Sequence, residues 1–179
     1  QGAEPLRVKG DRLIYRENEK RGEIEGNLQF VRSGSRASAG RMMFLLSSDE
    51  RKINELVFRE AVKADLSAAH EAAGPGGGDR PYLEADTLKL WTHAGTNDIS
   101  TIETIGNCFL RFGSGADARR EVRSGTAILY FTPGGEMKDF MAAGNVRMSL
   151  KTTGEPFAKD ITCDKVLYNS KSASLRLLG

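Results

Sequence analysis

A self-similar phrase recurs along this chain at intervals of 29, 46, 39 and 39 residues, and no other feature narrows its fold as much. The phrase is a small residue followed by apolar alternation. It reads Gly10-Asp11-Arg12-Leu13-Ile14-Tyr15, Ala39-Gly40-Arg41-Met42-Met43-Phe44, Ala85-Asp86-Thr87-Leu88-Lys89-Leu90, Ser124-Gly125-Thr126-Ala127-Ile128-Leu129 and Cys163-Asp164-Lys165-Val166-Leu167-Tyr168. A second phrase alternates with it. Ile53–Leu66, Ile99–Phe112 and Met137–Leu150 align without gaps over fourteen residues: apolar, two residues, apolar, then a turn-like pair and three apolar positions at alternate places. The pair is Gly106-Asn107 and Gly144-Asn145 in two of them, with a further copy at Gly26-Asn27 before Leu28-Gln29-Phe30. The longest interval is a unit swollen by Ala72-Ala73-Gly74-Pro75-Gly76-Gly77-Gly78, which reads as a flexible surface loop over about 68–81.

Alternation with period two, broken by turn clusters, predicts an all-β chain of many short strands. The clusters are Arg32-Ser33-Gly34-Ser35, Thr92–Asp98, Gly113–Asp117, Pro133-Gly134-Gly135 and Thr152–Pro156. One strand-rich unit is repeated about four and a half times in a single domain over residues 1–179. Such a unit cannot bury its apolar face alone, so neighbours must cover it and the repeats stack in one dimension. Gly-Asn before the last strand of each unit reads either as a bulge or bend, which glycine permits, or as a tight turn. One segment competes. Ser48-Asp49-Glu50 followed by Ile53, Leu56, Val57, Ala61, Ala64 and Ala68, ending at Gly74, has the pattern of a capped amphipathic helix. Its ungapped match to two other units predicts strand over Ile53–Leu66 instead.

The ends of the sequence stand in register. Asp164 precedes Gly179 by the same fifteen residues that separate Asp11 from Gly26. The expectation is that the repeat continues past this sequence, or that the ends stack head to tail on like domains through unpaired strand edges.

Chemistry is sparse. His70 and His93 sit in loop-like stretches without a Cys or acidic partner at ligand spacing, and read as solvated loop histidines. Asp11, Asp86 and Asp164 recur at equivalent repeat positions, which argues for strand-start chemistry and against a carboxylate pair. Gly74–Gly78 lacks the Lys-Ser/Thr of a phosphate loop, and no Gly-x-Ser-x-Gly occurs. Arg119, Arg120 and Arg123 form a local basic patch, which reads first as a solvated face and second as a place to hold phosphate by forked hydrogen bonds. Cys108 and Cys163 are too few for a disulfide framework or a zinc site, and read equally as one bridge or two thiols. No catalytic residue, metal site or cofactor is expected. With 26 Lys+Arg against 24 Asp+Glu, the net charge of +2 excludes a nucleic-acid binder driven by a large cationic field. The longest apolar run is Met42–Leu46, far short of the ~18 residues of a membrane-spanning helix. Nothing signal-like stands at Gln1, which fits a cytosolic protein or one whose signal has been removed.

What the repeat does collect is apolar side chains. Its register places Leu28, Phe30, Met42, Phe44, Phe58, Leu88, Leu90, Leu110, Phe112, Leu129, Phe131, Val146, Met148, Leu150, Val166 and Tyr168 on one face, together with Leu13, Tyr15, Val62 and Cys108. They form either an ordinary packed core or the lining of a long apolar trough between two facing sheets, for which Met and Phe are adaptable and large enough.

The phrases Glu25-Gly26-Asn27-Leu28, Ala85-Asp86-x-Leu88-x-Leu90 and Ala143-Gly144-Asn145-Val146-Arg147-Met148 resemble the repeats of the LptA/OstA-like family of lipopolysaccharide-transport proteins, from about Leu6 to Leu178. Glu60-Ala61 departs from the family's Gly-Asn, as does the Gly-rich insertion. The resemblance implies a curved, partly open β-jelly roll of antiparallel strands, a V-shaped sandwich with acyl chains held inside. It implies a non-enzymatic lipid carrier in the periplasm, with lipopolysaccharide or a related lipid and other proteins of this fold as partners through edge-strand contact. The competing reading is a structural or carbohydrate-contacting β-repeat with a fully packed core.

Overall fold

The computed structural model describes residues 6–32, 35–66, 82–94, 96, 98–112, 119–151, 158–172 and 174–179, all with side chains except Arg119. The Gly-rich segment at 68–81 and His70 fall outside them. The described chain is one antiparallel sheet of eleven strands that does not close on itself. The strands are β1 (Arg7–Lys9), β2 (Arg12–Arg16), β3 (Arg21–Arg32), β4 (Ser35–Leu46), β5 (Ile53–Asp65), β6 (Tyr82–Thr92), β7 (Ile99–Phe112), β8 (Arg119–Phe131), β9 (Met137–Lys151), β10 (Lys159–Asn169) and β11 (Ser174–Leu178). From β3 onward each pairs with its neighbours in sequence, while β1 and β2 both pair with β3. The all-β reading holds. Ile53–Asp65 is strand, as the repeat requires and against its local helical pattern.

Where many short strands were expected, β3 to β10 are long, up to 15 residues in β9, and each is creased near its middle. The two recurring phrases are the two sides of these creases. On β3, β5, β7 and β9 a pair of consecutive residues takes positive φ: Gly26-Asn27 at 74° and 43°, Glu60-Ala61 at 72° and 53°, Gly106-Asn107 at 74° and 47°, Gly144-Asn145 at 83° and 51°. On the following strand one residue lies opposite each pair: Gly40, Asp86, Gly125 and Asp164, where the register shifts. This is a two-against-one bulge, which bends the sheet, and Gly-Asn is a bulge and not a tight turn. Gly and Asn adopt the left-handed region most readily, whereas Glu60 and Ala61 take it at a cost of about 1–2 kcal/mol each.

Side chains across the crease enforce the composition. Asn27 Nδ2 donates to Asp11 Oδ2 and Asn107 Nδ2 to Asp86 Oδ2, each at 2.9 Å. The carboxylates lie so close over Gly26 and Gly106 that a Cβ there would sit 2.3 and 2.2 Å from them. In the Glu60 unit the roles are exchanged: the carboxylate comes from the bulge, and the bare residue is Gly40, whose Cβ would fall 2.3 Å from Glu60 Oε2. Gly179 also packs against Asp164, where a Cβ would fall 2.7 Å from the Asp164 backbone nitrogen.

The crease divides every long strand into two halves and the sheet into two limbs. The upper limb holds β2, β11 and residues 21–25, 41–46, 53–59, 87–92, 99–105, 126–131, 137–143 and 165–169. The lower limb holds β1 and residues 28–32, 35–39, 62–65, 82–85, 108–112, 119–124, 146–151 and 159–163. Inner-facing residues of both limbs join one hydrophobic cluster, so the limbs face each other across a shared core. Phe30 below meets Phe58 above edge-on at 5.5 Å between ring centroids, and Phe112 below meets Phe140 above at 6.0 Å. The result is a curved, partly open jelly roll, creased along one side with a mouth between the two rims.

Candidate functional site

The candidate site is the interior between the limbs, and it is built of rows that run across the strands. Residues directly opposite on paired strands point to the same face. The upper-limb row nearest the crease reads Leu13, Ile24, Met42, Phe58, Leu88, Thr104, Ala127, Ala142, Val166 and Leu177, one residue per strand. The next row outward reads Tyr15, Gly22, Phe44, Leu56, Leu90, Ile102, Leu129, Phe140, Tyr168 and Leu175. Facing it from below run Val8, Phe30, Ala37, Ala64, Leu83, Leu110, Val122, Met148 and Ile161. No Asp, Glu, Lys or Arg interrupts these three rows.

All sixteen residues expected to line the interior lie in this cluster or pack against it. Leu28, Phe30, Met42, Phe58, Leu88, Leu90, Leu110, Leu129, Val146, Met148 and Val166 are buried. Phe44, Phe112, Phe131, Leu150 and Tyr168 are half-buried around them. Sequence reasoning missed Leu56, Ile102 and Phe140, although each is the second apolar residue of the repeated phrase. It also missed Leu83 and Val122 in the lower limb.

Polar groups inside are few and mostly tied down. Thr104, fully buried, donates to the Ala127 carbonyl at 3.4 Å, and Cys108 Sγ lies 3.3 Å from the Gly125 carbonyl. Burial pushes the Cys108 thiol above its ordinary pKa. Ser124 Oγ is buried without a hydrogen-bond partner. Cys108 and Cys163 are free thiols on β7 and β10, three strand spacings or about 14 Å apart, too far for a bridge.

Polar chemistry sits on the outer faces. Arg41 pairs with Glu23 and Glu25, and Lys89 with Glu103 at 2.9 Å. Arg123 stacks over the Phe109 ring at 4.5 Å, and Arg111 over Tyr82 at 4.9 Å. The expected patch of Arg119, Arg120 and Arg123 is split by the strand period: Arg120 shares the inner parity of Val122, whereas Arg123 faces out onto Phe109. His93 is half-buried and not a solvated loop residue, its Nε2–H donating to the Phe131 carbonyl at 3.2 Å. Among the described residues, no group of three His, Cys, Asp or Glu is placed to hold a metal. No helix there is long and apolar enough to cross a membrane.

A cleft of about 270 Å³ opens on the outer face of the upper limb beside Arg21, Val57, Arg59 and Lys89. A second, about 570 Å³, lies at the free edge of β10 beside Cys163 and Gly179.

No protein-family model matches the sequence, nor does any curated protein. A solved structure does match: LptH, described as the LptA homologous periplasmic component of the lipopolysaccharide transport device of Pseudomonas aeruginosa. The two superpose with a TM-score of 0.58 over 88% of this chain and 93% of that one, at 7% sequence identity. At that identity the likeness is one of fold, and the fold this chain shares is that of an LptA-like protein.

Proposed function

We propose that this chain is a non-enzymatic lipid-binding module of lipopolysaccharide transport across the periplasm, a single domain that holds acyl chains between its limbs. The observation that carries the reading is the set of uncharged rows on two facing, unclosed limbs, continuous from β2 to β11 above and from β1 to β10 below. The crease phrases that resemble LptA/OstA-like repeats and the fold shared with LptH support it from separate directions. Binding would be driven by area, at about 0.8 kcal/mol per buried methylene. The limbs would part by hinging at the creases, where ladder pairing is already interrupted. Inner residues are exposed at both ends of the stack, Leu13 at 63% and Tyr15 at 39% on β2, Leu175 at 42% and Leu177 at 44% on β11. These ends would join like domains edge to edge, extending the rows from one protein to the next.

The second reading, a structural or carbohydrate-contacting repeat, draws on the density of the centre. Phe58, Leu110 and Leu129 are fully buried, and Phe112 reaches across to Phe140. The two readings diverge under photo-crosslinking. Crosslinking residues at Leu110 and Met148 inside, and at Lys89 and Arg147 outside, are exposed to lipopolysaccharide. The lipid reading expects adducts at the two inner positions; adducts confined to Lys89 and Arg147 leave the packed-core reading standing.

A further inference from the structure

The polar groups of the interior gather in one repeat unit. Thr104 and Ser124 are the two buried polar side chains among the described residues, and both stand beside the crease on the paired strands β7 and β8. Ser124 lies directly opposite Cys108, which belongs to the core cluster, so its side chain shares that inner face. The other units are apolar at the same places. Thr104 stands where they have Ile24, Phe58 and Ala142, and Cys108 where they have Leu28, Val62 and Val146. Ser124, the residue before the crease position, stands where β4 and β6 have Ala39 and Ala85, and β10 has Cys163. Thr104 directs its hydrogen to the Ala127 carbonyl and Cys108 to the Gly125 carbonyl. Ser124 has no such outlet. Its Oγ is shut off from water without a partner, and an unpaired buried hydroxyl weakens a fold by its desolvation, a cost that the alanines of β4 and β6 avoid.

We propose that Ser124, beside Cys108 and Thr104, is a polar notch at the bottom of the interior that takes a hydroxyl carried at the far end of an alkyl chain held between the limbs. The inference rests on the lipid reading above, in which the limbs part to admit the chain, and adds to it a ligand class. A hydroxyl both donates and accepts, as Ser124 Oγ does, so the two satisfy each other where water is absent. A charged group is ruled out there, because no cation or carboxylate stands in the inner rows to pair with it. Depth sets which end of the ligand is read. Ser124 lies four residues along β8 from Arg120 near the strand's outer end, about 13 Å. A chain that enters with its head in water therefore brings its tail to the notch.

The test is calorimetric titration of the purified chain with dodecanoate, 3-hydroxydodecanoate and 12-hydroxydodecanoate, all below their micelle thresholds. The two hydroxylated chains have the same atoms and differ only in where the hydroxyl sits. In a plain apolar interior the 12-hydroxyl would be buried unpaired and would weaken binding about tenfold or more. The parent chain binds 12-hydroxydodecanoate at least as tightly as dodecanoate, whereas 3-hydroxydodecanoate gains nothing over dodecanoate. Ser124→Ala weakens 12-hydroxydodecanoate about tenfold and leaves dodecanoate bound at least as well as before. Thr126→Ala, exposed beyond the crease of the same strand, changes none of these ratios. Ser124→Ala also raises the melting temperature of the empty chain, since it removes an unpaired buried hydroxyl. A lowered melting temperature means that a buried water already satisfies Ser124, and overturns the notch. Tenfold weaker binding of 12-hydroxydodecanoate by the parent chain, an equal gain for both hydroxylated chains, or a ratio that survives Ser124→Ala overturns it too and leaves the lipid reading intact. Binding of none of the three removes the lipid reading and the notch with it.

Discussion

The inner row nearest the crease behaves differently at its middle and at its ends. Phe58 and Thr104 at the centre are 0% exposed and Leu88 is 1%, whereas Leu13 on β2 is 63% and Leu177 on β11 is 44%. The repeat assigns these positions the same role, and the register puts them in one line. Burial here is thus a property of place in the stack. A central residue is covered by a strand on each side and by the opposite limb, while an end residue lacks one flank. The interior is densely packed along its middle and least covered at the two ends of the stack, where another strand could be added.

Truncation at the two places should differ most. Phe58→Ala removes a fully buried ring that packs on Phe30 and should cost about 3–5 kcal/mol in urea unfolding. Leu13→Ala, in the same row, should cost less than about 0.5 kcal/mol yet reduce concentration-dependent association in light scattering. Similar costs at both positions would mean that the end strands are already covered.

The creases sharpen the contrast within the middle itself. Gly40 and Gly125 occupy equivalent positions, but Glu60 fills the space over Gly40, while the nearest atom to a Cβ on Gly125 is a backbone oxygen at 3.5 Å. Gly40→Asp should therefore destabilise by about 2 kcal/mol, through crowding and carboxylate repulsion. Gly125→Asp should stabilise by about 0.5–1 kcal/mol, by giving Asn145 the acceptor that Asn27 and Asn107 already have. Opposite signs in thermal melts support the crease account, and equal signs break it.

A smaller effect separates the outer face. Tyr82 on β6 ionises at about 12, raised first by burial and then by its hydrogen bond to Glu84, against 10.0 for a free tyrosine. Between those values the unfolded chain has lost a proton that the folded chain keeps, so stability falls as pH rises from 10 to 12. Tyr82→Phe should flatten that fall in alkaline unfolding curves; an unchanged slope would place the titrating group elsewhere.

Much of this was legible, and what was not has a common physical cause. On β3, β5, β7 and β9 the inner face keeps one parity across the crease, as from Phe58 to Val62 and from Thr104 to Cys108, and residues such as Leu110, Val146 and Met148 were placed correctly from the repeat. On β4, β6, β8 and β10 a single crease residue flips the parity. Leu88 and Leu90 face inward above it, but Leu83 and Ala85 below. Counting by twos back from Leu88 through Asp86 lands on Glu84, which faces out, so Leu83, Val122, Ala37 and Ile161 went unnoticed. Gly-Asn read as a bulge or as a turn because both use left-handed residues; only the pairing on either side decides between them. The helical pattern of Ile53–Asp65 lost to tertiary context, since its neighbours β4 and β6 supply strand partners along nearly its whole length.

The chain's five methionines allow its central claim to be tested in one spectrum. Met42, Met137 and Met148 face the interior, whereas Met43 and Met141 stand in the outward alternation of the same strands. Methyl-labelled methionine is followed by NMR while a phosphorylated lipid is titrated in. The account predicts shifts at Met42, Met137 and Met148 that saturate together, with Met43 and Met141 unmoved. Shifts confined to Met43 and Met141 would put the lipid on the outer face and contradict it.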